Sequence, residues 1–334
     1  MLPKTPIVRD CQGFPVDDCS ISAAIRVVEP ITHKLSGVLI MQASHVSVIG
    51  LGMMGSRLAQ LLLETGWHVT VWNRSPAAAA PLVKAGARLA ATSAEAIAAS
   101  PVSVMVVKDY AAGMQILANP GMAGALTGHT LVHLSSGSPQ EALDMERLVQ
   151  GHGGFYLDGA IQAAPEQMGQ PDTPIFIAGA QAAFNTALPM LQRLGGPVHL
   201  GERASLASAM DFATLSYIYG SMAGFFHGAR IVEMEGLSMQ EYGNLVQQMA
   251  PSFGEFLRHE SQVIHTGDYR ITQSPLRISI DITRRIAQHA RDRGLQPAIA
   301  ELSESLFRQA EAAGLANEEA AAVMKVLRAP RSVT

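Results

Sequence analysis

The stretch Val46-Ser47-Val48-Ile49-Gly50-Leu51-Gly52-Met53-Met54-Gly55-Ser56-Arg57-Leu58-Ala59-Gln60-Leu61-Leu62-Leu63 decides the fold. A run that reads as a strand passes through GxGxxG into a run that reads as a helix, the context that makes this string a dinucleotide site. Gly50 makes the tight turn, and Gly52 lets the backbone approach a pyrophosphate. Gly55 lets the helix pack close to the strand, and the helix N-terminus presents free N–H groups to phosphate charge. Leu51, Met53 and Met54 lie in the same turn and belong to the predicted cofactor contacts.

The next strand, His68-Val69-Thr70-Val71-Trp72, ends in Asn73-Arg74-Ser75. A site for NAD usually carries Asp or Glu about 20 residues past the glycines, accepting from the ribose 2′-OH. No acid stands at this strand end. Arg74 suits a 2′-phosphate instead, with Asn73 and Ser75 as hydrogen-bond donors, because guanidinium matches phosphate geometry. The competing reading is a solvated loop arginine. The missing acid and the position favour NADPH.

Composition narrows the remaining classes. The 334 residues allow two domains and a substantial core. With a formal charge of −4 and 16% charged residues, no basic field points to nucleic acid or an acidic membrane. The two cysteines, Cys11 and Cys19, lie near the N-terminus, which argues against a disulfide framework, a thiolate metal site or a cysteine nucleophile. No apolar run reaches the roughly 18–20 residues of a membrane span. Nor does the N-terminus resemble a secretory signal, so a cytoplasmic protein is expected. Residues 1–44 mix prolines, charges and short apolar pieces, and are expected to form an extension with weak or no independent structure. Met41 is a candidate natural start.

Apolar and helical stretches alternate after the second strand. Residues 102–107, 130–134, 155–157 and 175–177 read as strands, and 76–85 and 138–150 as helices. Such alternation implies a doubly wound, mostly parallel sheet with its ligand at the carboxyl ends of the strands. The pattern changes near residue 200. From Glu202 to Glu235 there is no proline, and the reading is one helix of about 30 residues, far longer than the mean of ~11–12. Further helices are predicted at about 239–265, 279–293, 297–313 and 317–328. The expected division is therefore 45–201 for a Rossmann domain and 202–334 for the long interdomain helix with an all-α domain. The long helix is apolar around most of its circumference and must be buried on several sides, which makes intertwined dimerisation the economical solution.

The order of parts resembles the β-hydroxyacid dehydrogenase superfamily, and within it the chain resembles the imine reductases and reductive aminases. The resembling pieces are Gly50 to Gly55, Trp72-Asn73-Arg74-Ser75 and Leu134-Ser135-Ser136-Gly137-Ser138-Pro139. Asp158-Gly159-Ala160-Ile161-Gln162-Ala163-Ala164-Pro165 and Asp211 through Gly220 complete them. The hydroxyacid enzymes place a lysine on the long helix to move a proton at the substrate oxygen. Here no lysine occurs between Asp109 and Met324, and the corresponding position is Asp211. Their Ser-Gly-Gly carboxylate loop is replaced by Ile161-Gln162-Ala163. A carboxylate substrate would lose both its anchor and its cationic catalyst. Carbonyl reduction develops an alkoxide, which a cation stabilises, whereas iminium reduction begins with a cation, which a carboxylate stabilises.

Asp211 is thus expected to be the counter-ion of an iminium, or a proton donor if burial raises its pKa. The sequence leaves the two roles open. Tyr219 lies roughly 12 Å further along the helix and about 80° around it. By resemblance it stands near the substrate nitrogen; otherwise it is a core tyrosine. Asp109 stands where the family places a polar residue facing the nicotinamide ribose and the substrate, or else it caps the helix starting near Tyr110. Val107, at the end of the preceding strand, is placed on the cofactor side. Ser135 and Ser136 contact the nicotinamide half, or serve turn chemistry alone. Ile161, Gln162 and Ala163 are expected to line the substrate pocket, with Phe253 and Phe256 forming the wall given by a partner subunit. The resemblance also leans toward an R-selective enzyme. No metal site is expected, because no histidine falls in a ligand spacing. His259 and His265 read as helical residues without partners, and Glu318-Glu319 as a solvated helix face. The competing functions are a β-hydroxyacid dehydrogenase or carbonyl reductase, and an NADPH-binding sensor without turnover.

Overall fold

A computed structural model describes residues 44–329. The extension and its cysteines lie outside the described residues. The first unit opens with β1 (His45–Ile49), α1 (Met53–Glu64), β2 (His68–Trp72), α2 (Ala80–Lys84), β3 (Arg88–Leu89) and α3 (Ser93–Ala98). It continues with β4 (Val102–Met105), α4 (Tyr110–Leu117), α5 (Met122–Leu126), β5 (Thr130–His133), α6 (Pro139–Gly151) and β6 (Phe155–Ile161). β7 (Pro174–Gly179), α7 (Gln181–Leu194) and β8 (Gly196–His199) complete the sheet.

The eight strands of the described residues form one sheet in the order β3-β2-β1-β4-β5-β6-β7-β8. Every pairing is parallel except β6 with β7, where Leu157 faces Gly179 and Ile161 faces Ile175. The order reverses between β1 and β4, the switch point at which such sheets bind ligands. The central strands β1, β4 and β5 are buried on both faces. One apolar cluster, including Leu58, Leu62, Leu157 and Leu191, lies under α1 and α7. Another, including Ile97, Leu117, Leu131 and Met145, lies under α3 to α6. Helix starts follow local capping rules: Thr92 accepts from Glu95 N, and Ser138 with Glu141 forms a capping box.

α8 (Ser205–Met234) is the long helix, trimmed by a few residues at its N-terminal end from the sequence reading. The compact units divide within it, between Ala213 and Thr214. Its first turns are fastened to the sheet, as described below. The second unit holds the remainder of α8, then α9 (Met239–Thr266), α10 (Leu276–Asp292), α11 (Ala298–Ala312) and α12 (Val323–Arg328). The predicted helix at 317–328 is in fact a 3-10 turn at Ala320–Ala322 followed by the short α12.

Two further readings are corrected in the second unit. Glu319 is buried, and its carboxylate accepts from the backbone N–H groups of Thr272, Gln273 and Ser274. Burial raises its pKa, but those three donors and the Thr272 hydroxyl outweigh it and hold the value at about 2. His259 has partners as well: Nδ1 lies 2.9 Å from Glu260 Oε1, and Nε2 lies 2.9 Å from Thr272 Oγ1. Glu260 in turn accepts from Ala321 N at 2.6 Å. These contacts close the loop after α9 onto the 3-10 turn. Glu319→Gln leaves backbone donors facing an amide NH2, so it is expected to cost about 2–4 kcal/mol and lower Tm in a thermal melt followed by circular dichroism. A Tm shift under about 1 °C would show that the loop is held otherwise.

Candidate active site

The glycine loop is shaped by contacts that leave no room for side chains. Gly50 has φ +93°, and a Cβ on it would lie 2.2 Å from the Val106 carbonyl oxygen. A Cβ on Gly55 would lie 2.0 Å from the Gly50 carbonyl oxygen. Gly52 is different, because a Cβ there would meet nothing within 4 Å. It borders open space as the N-cap residue just before α1, the place where a pyrophosphate meets free N–H groups. Asn73 ties the loop to the end of β2: Leu51 N donates to its Oδ1 at 3.0 Å, and its Nδ2 donates to the Ser75 carbonyl at 3.0 Å. Its amide thus shapes the turn that presents Arg74 and Ser75.

A cleft of about 790 Å³ opens over this loop. It is lined by Gly50 to Gly55, Trp72 to Ser75, Val106 to Lys108, and Ala112, Gln115, Ile116 and Asn119. The last four follow helical spacing, so they form one face of α4 and the residues just past it. That face escaped the sequence reading; an i, i+3, i+4, i+7 set opposite a glycine loop is the signal that would have found it. The volume lies within the range of small-molecule and cofactor sites. The cradle at Gly52, the N-terminus of α1 and the guanidinium of Arg74 fit a phosphorylated dinucleotide.

Around the cleft, Ser135 is buried and accepts from Val107 N at 3.0 Å, joining the exits of β4 and β5. Ser136 is exposed beyond it. Asp109 caps α4, its Oδ1 accepting from Ala112 N at 2.8 Å, while Lys108 Nζ stands 3.7 Å from Oδ2. The cap occupies one oxygen, and the side chain remains about 43% exposed.

Two predicted site residues meet at the exit of β6. Gln162 Nε2 donates to Asp211 Oδ1 at 2.7 Å, and Asp211 is buried on the second turn of α8. Gln162, read as pocket lining, is therefore a hydrogen-bond partner of the candidate catalytic carboxylate. Its neighbours Ile161 and Ala163 pack against the cluster under α1 and α7. Tyr219, further along α8, belongs to the second unit and is 63% exposed in the single chain. Phe253 and Phe256 stack on one another on α9, with ring centroids 6.1 Å apart.

Beneath Asp211 lies a carboxylate the sequence reading passed over. Asp158, on β6, has no exposed surface. Its Oδ1 accepts from the hydroxyls of Tyr110 and Tyr156, the latter at 3.1 Å. Its Oδ2 accepts from Ser208 N at 3.1 Å and from the Ser208 hydroxyl. Burial nevertheless dominates these donors and raises its pKa to about 6. Burial and the Asp158 charge push both tyrosines up. His133 packs edge-on against Tyr110 at 4.4 Å, and burial lowers its pKa to about 3, so it stays neutral. Among the described residues no group of three potential ligands could hold a metal, and no helix is long and apolar enough to cross a membrane.

Residues 45–201 match the family described as the NAD binding domain of 6-phosphogluconate dehydrogenase. Residues 204–329 match the C-terminal domain described as NADPH-dependent reductive aminase-like. An NADPH-dependent reductive aminase of Aspergillus oryzae is 28% identical, covering 87% of this chain and 99% of the relative. The structure of an imine reductase from Myxococcus stipitatus in complex with NADP⁺ is similar with TM-score 0.80 and 30% identity, over 85% of this chain and 100% of that one. A reductive aminase from Aspergillus terreus in complex with NADPH4, cyclohexanone and allyl amine is similar with TM-score 0.77 and 31% identity, over 86% and 100%.

The raised pKa of Asp158 gives a signed pH dependence. The folded state binds its proton more tightly than the unfolded chain does, so its stabilising contribution is complete below about pH 4 and is lost as pH rises through about 6. Denaturant unfolding of wild type and Asp158→Asn should therefore show the wild type's advantage shrinking by roughly 2 kcal/mol between pH 4 and pH 7. An advantage that grows over that window would mean the carboxylate is stabilised, not strained, by its site.

Proposed function

Because the chain belongs to the imine reductase and reductive aminase family, we propose that it reduces imines or iminium ions to amines with NADPH, as an oxidoreductase acting on CH–NH bonds. The observation that carries this reading is Asp211, a buried carboxylate on α8 held by Gln162, in a helix with no lysine. A fixed negative charge favours a cationic substrate and opposes a developing alkoxide, so it suits C=N and not C=O. The cofactor supplies a hydride from nicotinamide C4. Gly50, Gly52 and the N–H groups opening α1 bind its pyrophosphate, and Arg74 with Ser75 binds the 2′-phosphate.

In the balanced reaction the imine carbon gains a hydride and the nitrogen gains a proton. Asp211 holds the positive charge of the protonated imine or delivers that proton, and Gln162 fixes the orientation of its carboxylate through Oδ1. Tyr219 and Asp109 are assigned to the substrate nitrogen and the nicotinamide side by the family resemblance, with Ser135 and Ser136 beside the cofactor. Ile161 and Ala163, with Phe253 and Phe256 contributed by a second copy of the chain, give an apolar setting that selects by shape. The partner in this reading is a second copy of the chain. On α8, Tyr217, Met222 and Phe226 are exposed in the single chain, as are Leu245, Met249 and Phe253 on α9. Apolar residues exposed in such number mark a protein contact.

Substitution of Asp211 tests the assignment. Asp211→Ala is expected to lower kcat for a cyclic imine such as 2-methyl-1-pyrroline by about 100-fold or more, while NADPH affinity changes little. Steady-state NADPH oxidation and a fluorescence titration of NADPH measure the two quantities. A kcat within a factor of about three would remove Asp211 from the chemistry.

A further inference from the structure

Asp158 touches neither the cleft nor solvent, yet it is the meeting point of three elements. Each element carries something the proposed chemistry needs. β6 brings the carboxylate itself and leads directly to Gln162. α4 brings Tyr110, the residue after Asp109 and two after Lys108 of the cofactor cleft. α8 brings Ser208, one turn before Asp211.

Asp158 reaches the first turn of α8 from β6: its Oδ2 takes Ser208 N at 3.1 Å and the Ser208 hydroxyl as well. Negative charge at a helix N-terminus is favourable, so the contact is electrostatic as well as directional. The other oxygen takes the Tyr110 and Tyr156 hydroxyls. Tyr156 comes from β6 itself, and His133 of β5, 3.4 Å from the Tyr156 hydroxyl, faces the group as a neutral ring. No cation is among these contacts, so the carboxylate is held by aimed hydroxyl and N–H dipoles.

We propose that Asp158 is the positioning residue for Asp211: by fixing Ser208 on α8 and Tyr110 on α4 to one atom group of β6, it sets where the Asp211 carboxylate stands relative to the cofactor cleft. This rests on the reading of Asp211 as the group that acts on the iminium. The helix is attached to β6 and its exit through Asp158 to Ser208 and through Gln162 to Asp211 at 2.7 Å. Directional bonds at Ser208 and at Asp211, three residues apart on the helix, constrain both its rotation and its axial position. An asparagine cannot replace the aspartate, because its NH2 group would face the Ser208 N–H or the tyrosine hydroxyls.

The test compares Asp158→Asn and Ser208→Ala with wild type in three readouts. These are kcat and KM for 2-methyl-1-pyrroline, NADPH affinity, and hydrogen exchange of the backbone over residues 205–212. Asp158→Asn should lower kcat roughly tenfold or more, since an ångström of misplacement is costly, with NADPH affinity within about twofold and exchange at 205–212 raised. Adding it to Asp211→Ala should cause no further loss, because Asp158 acts through Asp211. Ser208→Ala installs a better helix former yet should still lower kcat about threefold, a result that loss of helix stability does not produce. If Asp158→Asn does not fold, Ser208→Ala decides. A kcat within twofold of wild type, or a loss that adds in full to that of Asp211→Ala, overturns the proposal. If the wild type does not reduce the imine, the functional reading has failed, and exchange alone judges the positioning: unchanged exchange at 205–212 overturns it, and raised exchange there supports it.

Discussion

A carboxylate with no exposed surface joins the sheet to the long helix. Taking a carboxylate out of water costs several kcal/mol unless its lone pairs are filled, and a raised pKa is the trace of the part left uncompensated. Asp158 has its lone pairs filled by Tyr110, Tyr156 and Ser208, and its pKa still stands at about 6. The fold keeps a group that favours the neutral form in a place where it is charged at neutral pH. Apolar packing would hold a helix to a sheet at less cost, but over a range of rotations. Hydrogen bonds donated by Ser208 N and its hydroxyl to one carboxylate oxygen hold it in one.

The second constraint is the absence of Cβ atoms at Gly50 and Gly55. The Val106 carbonyl and the Gly50 carbonyl occupy the space those atoms would need, which brings β1, α1 and the exit of β4 together at the switch point. Gly52 alone faces open space, so the loop is tight where protein meets protein and open where phosphate belongs. Asn73 links the loop to the β2 exit, so the glycine turn and the backbone that carries Arg74 and Ser75 are joined. Charge then sorts the chemistry. In the proposed reading the cofactor end is cationic at Arg74 and the substrate end anionic at Asp211, the pairing expected for NADPH and an iminium.

The features legible in the sequence are those written locally. The glycine loop between β1 and α1, the acid-free end of β2 and the proline-free run of α8 each declare themselves within about one helix or strand length. β3 and β8 do not, because two residues carry no period and Gly196-Pro197-Val198-His199 has no apolar run. The burial of Glu319 was misread because its donors stand 45 to 47 residues away, and a Glu-Glu pair looks solvated to any local rule. Gln162 was placed at the site by resemblance, but its partner Asp211 lies 49 residues on, so its role as donor was invisible. Asp158 did leave a sign: a charge inside Tyr156-Leu157-Asp158-Gly159-Ala160-Ile161, a run with no other polar side chain but the tyrosine hydroxyl. Unpaired acids are almost never buried, so an Asp in such a strand announces hidden donors without saying where they are.

The central claim is that a hydride reaches the carbon of a C=N bond. Following the label from NADPH deuterated at both C4 positions tests it most directly, with 2-methyl-1-pyrroline and its matched carbonyl analogue offered together. The expected product is 2-methylpyrrolidine carrying one deuterium on the carbon bonded to nitrogen, with the carbonyl compound unchanged. Deuterium found in an alcohol instead, with the imine returned unlabelled, would contradict the account and assign the protein to carbonyl reduction.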